Sequence, residues 1–411
     1  MITLDMENAT VMKRNGKFLL YDPTQPTWFK ISPLAALVVL FLQEEEYTIP
    51  FIAELLGTSQ EYAEKIVTEF IENVEEKTKN AAYRSKKGLD IEINVADSCS
   101  LECKYCYFLY NSQRVLTTEE WMEILDSAAH LHPERIIFSG GEPLCREDLF
   151  EIGKYAKHLH LKTHLLSNGI IPKSTLPSIA RYFDSVQISI DGFPATQKFL
   201  RGASFEVVTA TMKELVRLGV PLKAGITLTS VNIYEAVPLI QWLSEMGVDM
   251  FHISLFKEVG KGKNYPHFKP NPDAVVRLFL EMLRLDLNVD TLFHLMPRRS
   301  EKKKYCGAGK EIVSVMPDGD VYPCDALISK EFFCGSALHE DLSDIYVNSS
   351  TLNRVRKVTV EDSSICSSCD FRYLCGGGCI AESFFKKGKA DVPGPDCEFL
   401  KRFYEEIIWI A

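Results

Sequence analysis

The twelve cysteines of this 411-residue chain are the residues best able to do chemistry, and they are unevenly spaced. Cys99, Cys103 and Cys106 stand as C-x3-C-x2-C. Thiolates at these spacings wrap one [4Fe–4S] cubane within a single loop and leave one iron without a protein ligand. An open iron is what a substrate amine and carboxylate need in order to chelate. A zinc knuckle is the alternative, but zinc normally takes four protein ligands and no histidine completes a compact site here. Seven more cysteines crowd the C-terminal part: Cys306, Cys324, then Cys366-x2-Cys369-x5-Cys375-x3-Cys379, and Cys397. Pro317-Asp318-Gly319-Asp320 is a hairpin turn that places Cys306 and Cys324 on neighbouring strands. Gly376-Gly377-Gly378 lets the backbone fold tightly against inorganic sulfide. A zinc ribbon is the competing reading. Cys145 and Cys334 are left over and read as small buried hydrophobes.

These thiols need elements to hold them. From Asp90 the chain reads as strand–helix units, with strands expected at Ile91–Val95, Arg135–Phe138, Thr163–Leu166, Val186–Ile190, Ala224–Leu228 and Met250–Leu255. Amphipathic helices such as Thr118–His130 and Phe205–Leu218 lie between them; the latter sets Val207, Val208, Met212, Leu215 and Leu218 largely on one face. Parallel units of this kind predict an α/β fold, a partial (β/α)6 barrel over residues 86–298, with its chemistry at the C-terminal ends of strands. The cysteine triplet follows directly on the first strand. After a sixth helix at Asn271–Leu287, residues 299–411 read as a loop-rich, cysteine-rich module.

Upstream, residues 1–85 begin with strands at Thr10–Arg14, Lys17–Tyr21 and Thr27–Ile31, the first two joined by the hairpin signal Asn15-Gly16. Ser32-Pro33 opens a helix as N-cap and first turn, and two further helices follow near Pro50–Leu56 and Ser59–Val74. This is a winged-helix-like module, joined to the barrel by the charged run Glu75–Lys87. Its last helix carries Glu61, Glu64, Glu69, Glu72, Glu75 and Glu76, which argues against DNA binding.

At 46% hydrophobic and 25% charged, the composition is that of a soluble protein with a sizeable core. The net charge of −10 argues against a nucleic-acid partner. The longest apolar run, Pro33 to Leu42, is too short for a membrane span, and no signal peptide is read at the N-terminus. A cytoplasmic protein whose cysteines bind metal rather than pair as disulfides is expected.

The order of motifs resembles the radical S-adenosylmethionine (SAM) superfamily, with Tyr105 at the usual aromatic position before the last cysteine of the triplet. Gly140-Gly141-Glu142-Pro143 is similar to the family's GGEP motif, which receives the methionine ammonium of SAM. Ser167-Asn168-Gly169 matches a polar strand end facing SAM, and Ser189-Ile190-Asp191-Gly192 the SIDG segment beside the ribose or methionyl group. Arg201 falls where the family often has an arginine for the SAM carboxylate, although Gln197-Lys198 replaces the frequent His-Asp pair; a salt bridge to a barrel helix is its alternative role. The resemblance implies one-electron cleavage of SAM to methionine and a 5′-deoxyadenosyl radical, which the protein orients. The seven C-terminal cysteines resemble a SPASM domain. That resemblance implies two auxiliary [4Fe–4S] clusters, an outer one on Cys366, Cys369, Cys375 and Cys397 and an inner one on Cys306, Cys324 and Cys379. Some relatives carry an eighth cysteine where this chain has Ser300. The implied inner cluster then has an open iron for a substrate thiolate, unless Cys334 completes it. Asp325 occupies a motif position that in sulfatase-maturating enzymes resembles a general base; a solvated loop carboxylate is its alternative.

The N-terminal module resembles the recognition element of enzymes that mature RiPPs, the ribosomally made and post-translationally modified peptides. There a leader peptide adds as a strand beside the third strand and packs against the last helix. Together the resemblances imply a radical SAM/SPASM peptide maturase of the sactipeptide or ranthipeptide kind, an oxidoreductase forming a thioether. Its partners would be a precursor peptide and a one-electron reductant such as flavodoxin or ferredoxin, with no nucleic acid and no membrane. Carbon–carbon crosslinking, epimerisation, decarboxylation, formylglycine formation in sulfatases and a zinc-bound peptide-binding scaffold are the alternatives.

Overall fold

Strands β1 (Thr10–Arg14), β2 (Lys17–Asp22) and β3 (Thr27–Ile31) form an antiparallel sheet in the order β1-β2-β3. This computed structural model describes residues 8–24, 26–33, 35, 36, 39, 43, 49–79, 88–108, 110, 112, 114–295 and 302–410. Asn15 and Gly16 both take positive φ (50° and 73°), as a two-residue turn matched to the twist of its strands requires. The Ser32 hydroxyl accepts the Ala35 N–H at 3.0 Å, the expected helix cap. Helices Ile49–Leu56 and Gln60–Lys79 follow. Residues 80–87 of the expected linker, and Ser300, lie outside the described residues.

The second sheet contains β4 (Asp90–Ala96), β5 (Arg135–Gly140), β6 (Thr163–Ser167), β7 (Ser185–Ser189), β8 (Leu222–Leu228) and β9 (Met250–Leu255), all parallel and in sequence order. Helices between these strands cover one face. The C-terminal region adds β10 (Ile312–Val315), β11 (Asp320–Tyr322) and β12 (Gly335–Ser336) to the same sheet, with β10 parallel to β4 from Ile312↔Asp90 to Val315↔Ile93. The loop-rich module thus extends the barrel wall. Gly319 (φ 93°) lies in the turn between β10 and β11, but Cys306 and Cys324 lie beyond the strand ends and not on neighbouring strands as expected.

Alternation along β4 separates two faces. Ile91, Ile93 and Val95 join a core containing Trp121, Ile124 and Phe138, whereas Asp90, Glu92 and Asn94 point the other way and are just as buried. Polar partners make that burial tolerable. Arg135 forks onto Asp90 at 3.0 and 2.8 Å, Ser314 donates to Glu92 at 3.1 Å, and Asn94 donates to the Val315 carbonyl at 3.3 Å. In Phe205–Arg217, Val208, Met212 and Leu215 are buried, while Val207 is 45% exposed.

The N-terminal sheet packs on the C-terminal region. The Tyr21 hydroxyl donates to the Asp370 carbonyl at 2.6 Å, its ring stacks on Phe371 at 5.7 Å, and Arg14 pairs with Glu406 at 2.7 Å. No described helix is long and apolar enough to cross a membrane.

Candidate active site

The first three cysteines occupy the loop after β4, at the C-terminal edge of the sheet. The turn after β5 clamps that loop: Gly141 N–H donates to the Ala96 carbonyl and Glu142 N–H to the Ser98 carbonyl, both at 2.8 Å. A Cβ on Gly140 would lie 2.3 Å from the Ala96 carbonyl oxygen, and one on Gly141 2.2 Å from that of Ser98, so only glycine permits this approach. On the far side Lys104 N–H donates to the Leu200 carbonyl and Lys261 N–H to the Cys106 carbonyl. Burial raises the Cys103 thiol, Arg201 opposes it, and Cys106 and Cys99 raise it further. The three sulfurs therefore share one neighbourhood.

Beside them lies a buried polar chain. Arg201 Nη1 donates to Asp191 at 3.1 Å and to the Tyr105 hydroxyl at 3.0 Å, and that hydroxyl bonds in turn to Asp191. Asp191 is fully buried and also accepts the Thr227 N–H at 2.7 Å. Its carboxylate orients Arg201 and Tyr105. Among the described residues Arg201 Nε and Gln197 Nε2 are buried donors without a hydrogen-bond partner. Glu142 accepts from Ser167 Oγ at 2.9 Å, Asn168 N–H at 2.7 Å and Leu144 N–H at 3.3 Å, so it ties the turn after β5 to the end of β6. Asn168 Nδ2 reaches Ser100 at 3.1 Å and the Cys99 sulfur at 3.8 Å. Ser189 ends β7 and Pro143 opens the turn at Pro143–Cys145.

The seven later cysteines fall into two sets. Cys306, Cys324 and Cys379 pack around one apolar cluster that includes Met316, Tyr322, Phe332 and Ile380. Burial, then Asp325, Cys306 and Cys379, push the Cys324 thiol well up. Cys379 is the N-cap of helix Ile380–Lys387; burial raises its thiol and the Lys257 ammonium opposes that. In the second set, burial raises the Cys375 thiol to about 11, with Cys366 and Cys397 adding to it, and Cys397 in turn feels Cys369 and Cys366. Gly376, Gly377 and Gly378 all take positive φ (71°, 89° and 79°), a run open only to glycine, and Gly377 N–H donates to the Cys375 sulfur at 3.2 Å. Among the described residues no three His, Cys, Asp or Glu side chains converge on a point that a single ion would fill.

Cys334 joins neither set. Its thiol donates to the Phe332 carbonyl at 3.2 Å, and its other neighbours are Ser349, Arg356 and Arg354. Cys145, expected to be buried, is exposed and lies within electrostatic reach of Cys99.

Asp325 accepts the Tyr107 hydroxyl at 2.5 Å, and its negative charge raises that hydroxyl well above its ordinary value even though Tyr107 is 42% exposed. Tyr107 adjoins Cys106 and Asp325 adjoins Cys324. The bond therefore joins the first cysteine loop to the first of the later sets. Sequence reasoning missed Tyr107, Glu92 and Lys257. Lys257 offered a usable signal, a charged residue just past the end of a barrel strand. Glu92 offered none, because an acidic residue in an alternating strand reads as a solvent-facing position.

Residues 93–243 match the radical SAM superfamily, and residues 306–370 match the iron–sulfur cluster-binding domain called SPASM. Mycofactocin maturase MftC of Mycobacterium tuberculosis is 27% identical over 332 residues, covering 76% of this chain and 84% of that protein. A PqqA peptide cyclase of Bradyrhizobium diazoefficiens is 28% identical over 349 residues, covering 78% and 89%. Streptococcus suis SuiB, solved with S-adenosylmethionine, shares the fold at a TM-score of 0.62 and 19% identity, covering 96% of this chain and 99% of that one.

Proposed function

This chain is a radical SAM enzyme with a SPASM domain, and from that premise we propose that it matures a ribosomally made precursor peptide by forming a thioether. The observation that carries the reading is the Tyr107–Asp325 hydrogen bond, rooted beside Cys106 on one side and Cys324 on the other. It sets the radical-forming loop and the nearer later thiol set on a common space, where one peptide segment can meet both. Mycofactocin maturase and PqqA peptide cyclase are by their names a maturase and a peptide cyclase, and SuiB has been solved with its precursor peptide SuiA.

In this reading Cys99, Cys103 and Cys106 hold the SAM-cleaving cluster. Cys306, Cys324 and Cys379 hold the inner auxiliary cluster, and Cys366, Cys369, Cys375 and Cys397 the outer one. With its cluster, bound SAM supplies the 5′-deoxyadenosyl radical. Arg201 Nε faces the SAM carboxylate, held in place by Asp191 and Tyr105. Gly140, Gly141, Glu142, Pro143, Ser167, Asn168 and Ser189 shape the rest of that pocket. One hydrogen atom leaves the peptide carbon for the 5′-deoxyadenosyl radical, and Asp325, fixed by Tyr107, takes the proton of the substrate thiol. The electron released as the carbon–sulfur bond forms passes to the inner auxiliary cluster. Residues 1–85 form the recognition module, 86–298 the barrel and 299–411 the cluster module. The outer edge of β3, paired on its other side with β2, receives the leader as an added strand. Flavodoxin or ferredoxin supplies the electron.

The test is an anaerobic incubation of reconstituted enzyme with SAM, reductant and a cysteine-rich peptide encoded beside its gene, read by mass spectrometry and thiol alkylation. The expected product has lost one hydrogen pair per crosslink together with one alkylatable thiol. Loss of hydrogen with every thiol still free means carbon–carbon crosslinking, an unchanged mass with consumed SAM means epimerisation, and loss of carbon dioxide means decarboxylation. Each of these overturns the thioether.

A further inference from the structure

Lys257 follows β9 by two residues, on a backbone that has little freedom to move. Phe256 before it is buried and its N–H donates to the Leu228 carbonyl at 2.9 Å. Gly262 packs so closely on the Lys257 carbonyl that a Cβ would lie 2.4 Å from it. The Lys257 ammonium lies 4.0 Å from the Cys379 sulfur and within electrostatic reach of Asp325, Glu382 and Cys324. The neighbouring Glu258 pairs instead with Lys386 at 3.0 Å. A barrel residue thus carries the cation that faces the inner thiol set.

We propose that Lys257 is a positioning residue that sets the reduction potential of the inner auxiliary cluster, its ammonium favouring the state that carries one more electron. A cation in a sheltered position is weakly screened, and charge or hydrogen bonding at cluster sulfurs is a main determinant of potential. The same ammonium offsets the negative charge that Asp325 and Glu382 place beside these thiols. The inference rests on the assignment of Cys306, Cys324 and Cys379 to one cluster, and not on the bond formed in the peptide.

The test is an anaerobic redox titration of the reconstituted full chain, followed by electron paramagnetic resonance, for wild type, Lys257→Met, Lys257→Arg and Lys263→Met. Cys379→Ala identifies the inner-cluster signal. In Lys257→Met that signal should need a potential lower by a tenfold or greater change in the reduction equilibrium, about 59 mV for a one-electron couple. The other two signals should stay in place, Lys257→Arg should restore most of the shift, and Lys263→Met should behave as wild type. An unmoved signal overturns the proposal, as does an equal shift of all three. Loss of one cluster's iron from Lys257→Met also overturns it, because the lysine would then serve assembly. If Cys379→Ala instead retains every signal and all its iron, the ligand assignment fails and the inference with it, while the peptide reading stands.

Discussion

Replacing Glu92 with glutamine tests whether the barrel interior holds a protonated carboxylic acid at neutral pH. Glu92 is 3% exposed, and burial, followed by the charge of Asp325, pushes it up to about 8 against the hydrogen bonds of Ser139 and Ser314. Its ordinary value is 4.5. Below that pH the carboxyl is protonated in both the folded and the unfolded chain. Between 4.5 and about 8 the unfolded chain releases the proton while the folded chain keeps it, so stability falls as pH rises; above about 8 the loss is complete. At about 1.36 kcal/mol per pH unit the whole interval amounts to about 5 kcal/mol, of which about 2 kcal/mol falls between about pH 6 and pH 8, where the folded-state carboxyl is half titrated at the upper end. Glutamine has the same shape and no proton to lose. Wild type should therefore lose about 2 kcal/mol relative to Glu92→Gln across that window, measured by anaerobic urea unfolding of the two proteins in parallel. Infrared difference spectra should show a carboxylic-acid carbonyl band at neutral pH in wild type that is missing from the variant. A stability difference constant to about 0.5 kcal/mol across the window, or no such band, would refute the reasoning.

Four further perturbations follow from the geometry. Gly141→Ala drives a Cβ into the Ser98 carbonyl at 2.2 Å, and should abolish SAM cleavage and cost the protein about one cluster's iron, measured by iron analysis and 5′-deoxyadenosine release. Arg201→Met removes a charge-assisted donor and should weaken SAM binding about 10- to 100-fold by anaerobic calorimetry. Asp191→Asn leaves the Arg201 guanidinium buried without its anion and should cost about 3–5 kcal/mol of unfolding free energy, whereas Asp191→Asn with Arg201→Met should cost less than the two single changes added together. Tyr21→Phe loses the bond to the Asp370 carbonyl and should cost about 1 kcal/mol, seen as faster hydrogen exchange across β1–β3.

Local chemistry made much of this protein readable from its residues. C-x3-C-x2-C after a strand, glycines at tight turns and a run of apolar strands each carry their meaning within a few positions, so the parallel order β4 to β9 and the Asn15-Gly16 hairpin appear in the structure where the sequence places them. Likewise, Cys306, Cys324 and Cys379 meet in space as their motif positions imply. What the sequence could not decide depends on which surfaces face each other across long chain separations. β10 pairs with β4 across more than two hundred residues, and Ser314 on β10 then donates to Glu92, so the polar side chains of β4 are buried. Asp191 is bound to Arg201 and to the Thr227 N–H, partners that lie 10 and 36 residues away along the chain. Cys145, apolar by its flanking sequence, is left at the surface. Tyr107, Asp325 and Lys257 come from three distant segments. Spacing fixes which atoms a short loop can present, but burial and charge are properties of the assembled neighbourhood, and only the tertiary structure supplies the neighbours.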